Sequence, residues 1–489
     1  MMAAMDPIDA ARIADDVFAK APELASVPGI AYGLVHGDAL VHAGGRGAAT
    51  LGGPVPGPGT VFRIASMTKS FTASAVLMLR DSGLLRLDDP VIAHLPFVKT
   101  IGAPDGPPLT VRDLLTMGSG LATDDPWGDR QESLAVDEFD ALVAGGLSFC
   151  RPPRMGFEYS NTGYALLGRI IEAVSEVPYR DFVVDRICAP LGMTSTRFDP
   201  REVPPDQLAT GYRIAADAVP VAEPAVYPGV YSAMGGLHST IADLALWVGG
   251  FIRSWTSSSD HPVDRWALRE AQELARLVSV DDASATTPGA TATGYGYGLY
   301  VQEDRVLGRV VSHSGGYPGF GSHMRWHPAS GWGVILLGNA TYTPAHVAAG
   351  VVLTQIVSES TVAASSVFVP SADERGLRPP IPVTPWPQTV AAMSLAEDLL
   401  DGRTGAVSGH QWASNMDLDV PREERLAGLQ ALREAVGAFV RDDASVEFPT
   451  PAQASWTVTG ATGSVRLELM MTPERTPRIQ SLVAKQAPS

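Results

Sequence analysis

The chain has 489 residues, 45% of them hydrophobic and 18% charged, and a formal net charge of −17. This length predicts about two domains with sizeable cores. The negative balance, with no Lys/Arg cluster to offset it, argues against nucleic acid, whose phosphates require a basic surface. Cys150 and Cys188 are the only cysteines and form neither a disulfide framework nor a CxxC pair, so two small buried or half-buried thiols are expected. No His, Asp or Glu spacing suits a metal, and neither metal nor cofactor is expected.

The stretch Met1–Arg12 lacks a basic region followed by an apolar run, and no segment approaches the roughly 20 apolar residues of a membrane span. A cytoplasmic location is therefore the expectation, with no membrane partner. An amphipathic helix is predicted over Ile8–Leu24, then a hairpin of Gly29–His36 and Ala39–Gly45 around a Gly-Asp turn. Phe62–Thr72 opens a long segment of helical apolar periodicity. A Pro/Gly-rich loop, Arg151–Gly156, leads to Tyr159-Ser160-Asn161 and a helical pattern over Gly163–Ile171. Ser, Thr and Ala crowd the ends of the stretch 253–293 around a helical piece, Trp266–Leu277, which reads as a surface insertion or a tolerated loop. Strands are expected at Gly294–Val301, Val310-Val311, Gly321–Trp326 and Gly333–Leu337. Beyond residue 368, Pro370, Pro379, Pro380, Pro382, Pro385 and Pro387 mark a stiff linker. Helices at Thr389–Leu400 and Glu423–Phe439 and strands at Ser445–Phe448, Ala454–Thr459, Ser464–Met471 and Arg478–Ala484 follow. The expected organisation is a domain over 1–368, a linker over 369–388 and an α+β accessory domain over 389–489.

Chemistry gathers at three places. In Ser66-Met67-Thr68-Lys69 a helix would put the hydroxyl and the amine on one face, a turn apart. Serine is a poor nucleophile unless a neighbour takes its proton, and a desolvated lysine can do so. The pair alone recurs by chance, and alone reads as a polar helical turn. A phenol at Tyr159 can hold or shuttle that proton, and the amide of Asn161 can orient a substrate. In His313-Ser314-Gly315-Gly316, the glycine pair would let a substrate approach a strand edge, where a backbone N–H can face an oxyanion. Between them, in Asp124–Gln131, Trp127 could wall a cleft and Arg130 could pair an acidic neighbour or a substrate carboxylate. Tyr317 and Trp326 read as pocket lining or as core.

In this order the three motifs resemble the penicillin-binding protein and class C β-lactamase family of serine hydrolases. Thr110–Leu121, Ala189–Thr196 and Gly235–Ala245 are also similar to that family, and the likeness covers roughly residues 10–360. It implies an α+β fold, with an antiparallel sheet flanked by helices, an all-helical lobe over about 64–250, and a site between them. It further implies Ser66 as the acylated nucleophile and Lys69 and Tyr159 as the proton-handling pair. Asn161 would contact the acyl side, and backbone N–H groups of Ser66 and Gly316 would form the oxyanion hole. His313 departs from the β-lactamase lysine, which resembles D-alanyl-D-alanine carboxypeptidases, D-amino-acid peptidases and esterase-like relatives instead. The expected activity is ester or amide hydrolysis of a small-molecule or peptide substrate. Acyl transfer or peptide cyclisation comes next, then β-lactam hydrolysis, then a catalytically silent binding protein.

Overall fold

The protein is described by a computed structural model covering residues 5–98, 100–101, 106–215, 218–256, 260–284, 288–360, 383–403 and 410–487. Its centre is an eight-stranded sheet. In spatial order the strands are Ala39–Gly47, Gly29–His36, Trp332–Gly338, Phe320–His327, Gly308–Tyr317, Tyr300–Asp304, Thr291–Tyr295 and Arg276–Asp281, each antiparallel to its neighbours. The strand near the N-terminus therefore lies beside the last strand of the sheet, and both read as continuous apolar runs because both faces are covered. On one face Ile30, Leu34, Val334 and Leu336 join a core with the helices Pro7–Lys20 and Ala345–Ser360. On the other, Ala31, Val35, Ile335 and Leu337 join the core that also contains the helix Ile241–Arg253.

The sheet departs from the pattern of the sequence at two places. Gly294–Val301 is not one strand: the chain turns at Gly298 (φ +70°), so Tyr295 pairs with Tyr300. A Cβ at Gly298 would stand 2.5 Å from the Lys69 carbonyl, so only glycine lets this turn press on the Ser66–Lys69 segment. Trp266–Leu277 is not one helix either; the helix is Arg265–Ala271, and Arg276–Asp281 is the edge strand of the main sheet. Within 253–293, the described residues thus include the edge strand of the main sheet, Arg276–Asp281, and the start of its neighbour, Thr291–Tyr295, rather than only a surface insertion.

The helical lobe centres on Thr68–Asp81, buried almost all round and packed against Asn161–Ser175. Short two-stranded sheets interrupt it, including Phe62–Arg63 with His238–Ser239, which lies next to the Ser66 turn. After the linker region, helices Pro387–Leu400, Asn415–Asp419 and Arg422–Val436 pack on a four-stranded antiparallel sheet. Its strands are Phe439–Glu447, Gln453–Gly460, Ser464–Met471 and Ile479–Gln486. Trp456, Leu467 and Leu399 form its core, and Ala122 of the helical lobe joins that core. Pro370, Pro379, Pro380 and Pro382 lie outside the described residues, while Pro387 sits in the first turn of its helix, where its missing N–H costs nothing. Among the described residues, no helix is long and apolar enough to cross a membrane.

Candidate active site

Ser66 sits in a tight turn, Ala65–Met67, immediately before the helix Thr68–Asp81. Ala65 holds the left-handed conformation (φ +46°), a strained state for a residue with a Cβ. The Thr68 hydroxyl donates to the Ala65 carbonyl at 2.7 Å and accepts from Leu237 N–H at 3.2 Å, tying the turn to its neighbour. Lys69 is fully buried. Its Nζ lies 2.9 Å from Ser66 Oγ, 2.7 Å from Asn161 Oδ1 and 2.8 Å from the Met234 carbonyl. Burial brings the Lys69 ammonium down from 10.5 to about 8, although Asp125, Asp129, Asp124 and Glu132 pull the other way.

Tyr159 packs beside the same amine, with Nζ 4.9 Å from its ring centroid. Burial holds its phenol well above 10, and a hydrogen bond with Ser66 offsets this only in part. At neutral pH the phenol therefore keeps its proton, whereas the lysine, at about 8, gives up its own only in part.

Asn161 begins the helix Asn161–Ser175, whose N-terminus is capped by Ser160 Oγ accepting from Gly163 N–H at 3.0 Å. Asp124 is buried at the same helix start, accepting from Asn161 N–H at 2.6 Å and from Thr162 N–H at 2.9 Å. Burial nevertheless pushes its carboxyl up to about 6. The Asn161 amide is oriented at both ends: Oδ1 accepts from Lys69 and Nδ2 donates to Asp125 at 2.9 Å. The second amide N–H is not used by these two bonds, and the residue is buried. Asp125 itself is exposed.

His313 is 1% exposed. Its Nδ1 pairs with the Ser314 carbonyl at 2.6 Å and its Nε2 with the Tyr295 hydroxyl at 3.0 Å. This pairing suits a neutral ring, with Nδ1–H donating and Nε2 accepting. Burial and the charge of Lys69 take its pKa down to about 3. His313 therefore offers no cation to a substrate carboxylate.

The glycines beside it have a different reason from the expected one. A Cβ at Gly315 would stand 2.1 Å from the Ile64 carbonyl, and one at Gly316 would stand 2.5 Å from the Tyr342 ring. They admit the protein's own atoms. Pairing with Tyr300–Asp304 ends at Ser312, so among the described residues the strand has no strand partner on that side from His313 to Tyr317, where it meets the Ser66 turn.

Two expected cleft residues lie elsewhere. Trp127 is 2% exposed and meets the Tyr231 ring edge-on, which makes it core rather than a cleft wall. Arg130 donates through Nε to Asp419 Oδ1 at 2.8 Å and lies 3.5 Å from Glu223, so it is spent on ion pairs within the protein. Trp326 is fully buried and stacks on Phe251. Tyr317 is buried beneath the Arg63 guanidinium, 3.6 Å from its ring centroid, and Arg63 pairs with buried Glu132 at 2.9 Å. Beyond Tyr317 lies a cavity of about 420 Å³, lined by Leu208, Val226, Phe320, His238 and Arg63. The carboxylates of 124–132 and Tyr342, whose hydroxyl donates to Asp129 at 2.7 Å, went unread in the sequence. Only the acidic run Asp124-Asp125…Asp129 hinted at the first.

A family model described as beta-lactamase matches residues 14–356. A penicillin-binding protein of Bacillus subtilis (strain 168) is 31% identical over 281 residues, covering 54% of this chain and 57% of that protein. Protein flp of Staphylococcus aureus (strain NCTC 8325 / PS 47) is 28% identical over 292 residues, covering 59% and 55%. The chain thus spans a little over half the length of these curated relatives. The structure of the octameric penicillin-binding protein homologue from Pyrococcus abyssi superposes with a TM-score of 0.62 at 23% identity. That likeness covers 98% of this chain and 100% of the other, C-terminal α+β part included.

Proposed function

The chain belongs to the beta-lactamase family, and from that premise we propose that it is a serine hydrolase that forms an acyl-enzyme on Ser66. Its substrates are small esters or amides, of the carboxylesterase or D-amino-acid peptidase/amidase type. The observation that carries this reading is the Ser66 hydroxyl 2.9 Å from a buried Lys69 whose pKa is brought to about 8. Neutral Lys69 takes the Ser66 proton as Oγ attacks the substrate carbonyl. Charge building on the carbonyl oxygen is met by backbone N–H groups of Ser66 and Gly316. The leaving group departs with a proton returned from Lys69, by way of the Tyr159 phenol, and water then attacks the ester on Ser66 by the same route.

Charge narrows the substrate class. His313 is neutral, Arg130 and Arg63 are paired, and exposed Asp125 lies at Asn161. Among these described groups none offers a free cation to a substrate carboxylate, which disfavours penicillins. The test is turnover of 4-nitrophenyl butyrate, D-alanine 4-nitroanilide and benzylpenicillin by wild type and Ser66→Ala. Hydrolysis of the ester or the anilide, lost in the variant and exceeding that of benzylpenicillin, is expected. Benzylpenicillin as the best of the three, or turnover that survives Ser66→Ala, contradicts it.

A further inference from the structure

The loop that carries Asp124 and Asp125 is held from outside the helical lobe. Gln480, on the last strand of the C-terminal sheet, is 1% exposed and reaches across to it. Its Nε2 donates to the Thr123 carbonyl at 2.8 Å and to Met471 of its own sheet at 2.7 Å, and its Oε1 accepts from Trp127 N–H at 3.3 Å. The two loop groups that it holds flank Asp124 and Asp125. A few residues on, Arg130 donates to Asp419, whose other oxygen accepts from Asn415 Nδ2 at 2.9 Å. That same amide donates to the Gln480 carbonyl at 2.8 Å, which joins the two anchors.

From this anchorage a short run of hydrogen bonds leads to the nucleophile. Asp124 holds Asn161 N–H at 2.6 Å, Asn161 Oδ1 holds Lys69 Nζ at 2.7 Å, and Nζ meets Ser66 Oγ at 2.9 Å. We propose that Gln480, seconded by Asp419, is a positioning residue of the active site: the C-terminal α+β part braces the 123–130 loop so that Asn161 and Lys69 stay aligned on Ser66. Removing the Gln480 amide frees the loop, misplaces Asn161 and lets water reach Lys69. Desolvation is the largest cause of the low Lys69 pKa, so hydration raises it. Misplacement of this kind costs about 10- to 100-fold in rate, through kcat more than KM.

This rests on the Ser66–Lys69 reading, so the test includes a readout independent of turnover. Full-length Gln480→Met and Asp419→Asn are compared with wild type and with Leu467→Ala, which opens the C-terminal core and leaves the Gln480 and Asp419 hydrogen bonds to the loop in place. Measured are kcat and KM on 4-nitrophenyl butyrate, the pH limb of kcat/KM, and hydrogen exchange of peptides covering 120–132 and 158–166. Expected for Gln480→Met are the loss of kcat, a limb displaced to higher pH and faster exchange in both peptides, with weaker effects of the same kind in Asp419→Asn. Leu467→Ala should lower the melting temperature yet keep the wild-type kcat and limb. Wild-type kcat, limb and exchange in Gln480→Met overturn the brace, as does a Leu467→Ala that reproduces its losses. If Ser66→Ala keeps wild-type turnover, the acyl-enzyme reading falls instead, and the exchange data alone judge whether the loop is braced.

Discussion

At Lys69 the count of hydrogen bonds fits both protonation states. As an ammonium it donates three times, to Ser66 Oγ, Asn161 Oδ1 and the Met234 carbonyl. As a neutral amine it keeps two donations, to Asn161 and Met234, and turns its lone pair to the Ser66 hydroxyl. The switch needs no movement of the side chain, and a pKa of about 8 makes the neutral form accessible near neutral pH. Because the active form is deprotonated, kcat/KM for ester hydrolysis should rise with pH through about 8 and level off above it. Lys69→Met should lose the limb and roughly 10²- to 10⁴-fold in rate; a stopped-flow pH profile checks both. His313, neutral down to about 3, should add no limb between pH 5 and 8. Ser66, Lys69, Tyr159 and Asn161 were legible because each sits in a local motif. Asp124 was not, since its partner Asn161 lies 37 positions further along the chain. In that loop Trp127 and Arg130 carry the stronger sequence signal, yet their side chains turn to the core and to Asp419.

Among the elements, the strand Gly308–Tyr317 and the Ser66 turn fix one another by close approach. Ser322 Oγ on the next strand donates to the Ile64 carbonyl at 2.7 Å, and Gly315 leaves room for that same carbonyl. Gly315→Ala must push Ile64 and with it Ser66. It should lower the rate at which a fluorophosphonate probe labels Ser66 by at least about tenfold and cost about 1–3 kcal/mol in urea denaturation. Wild-type labelling in that variant would show that the turn adapts freely. The hairpin at the N-terminus and Ser464–Met471 were readable from alternation and turn residues. The edge strand Arg276–Asp281 was not, because it is half exposed and follows directly on a helix, so its short alternation merged with the helical pattern. Gly298 likewise broke an apolar run that looks continuous, for a reason visible only where the turn meets Lys69.

Taken whole, the molecule ties its C-terminal part to the lobe that carries the nucleophile. Ala122 is buried in the C-terminal core, Ser148 N–H donates to the Pro473 carbonyl at 2.8 Å, and Ser148 Oγ donates to the Glu474 carbonyl at 2.8 Å. With Gln480 and Asp419 these contacts couple the two cores, so thermal unfolding should be one transition. Calorimetry should give a single endotherm that Leu467→Ala moves as a unit; two separated endotherms would show independent domains. Composition and patterning indicated an α+β appendage, but nothing in its sequence indicated where it docks, because docking runs through scattered groups such as Ala122, Ser148 and Gln480, far apart in the chain.

The central claim is a Ser66 activated by Lys69, and intact-protein mass after incubation with a fluorophosphonate probe tests it most directly. Wild type should gain one adduct, mapped to the peptide containing Ser66, with a rate that rises with pH through about 8; Ser66→Ala should gain none. Labelling that persists in Ser66→Ala, or a wild type that stays unmodified while open to the probe, would contradict the account.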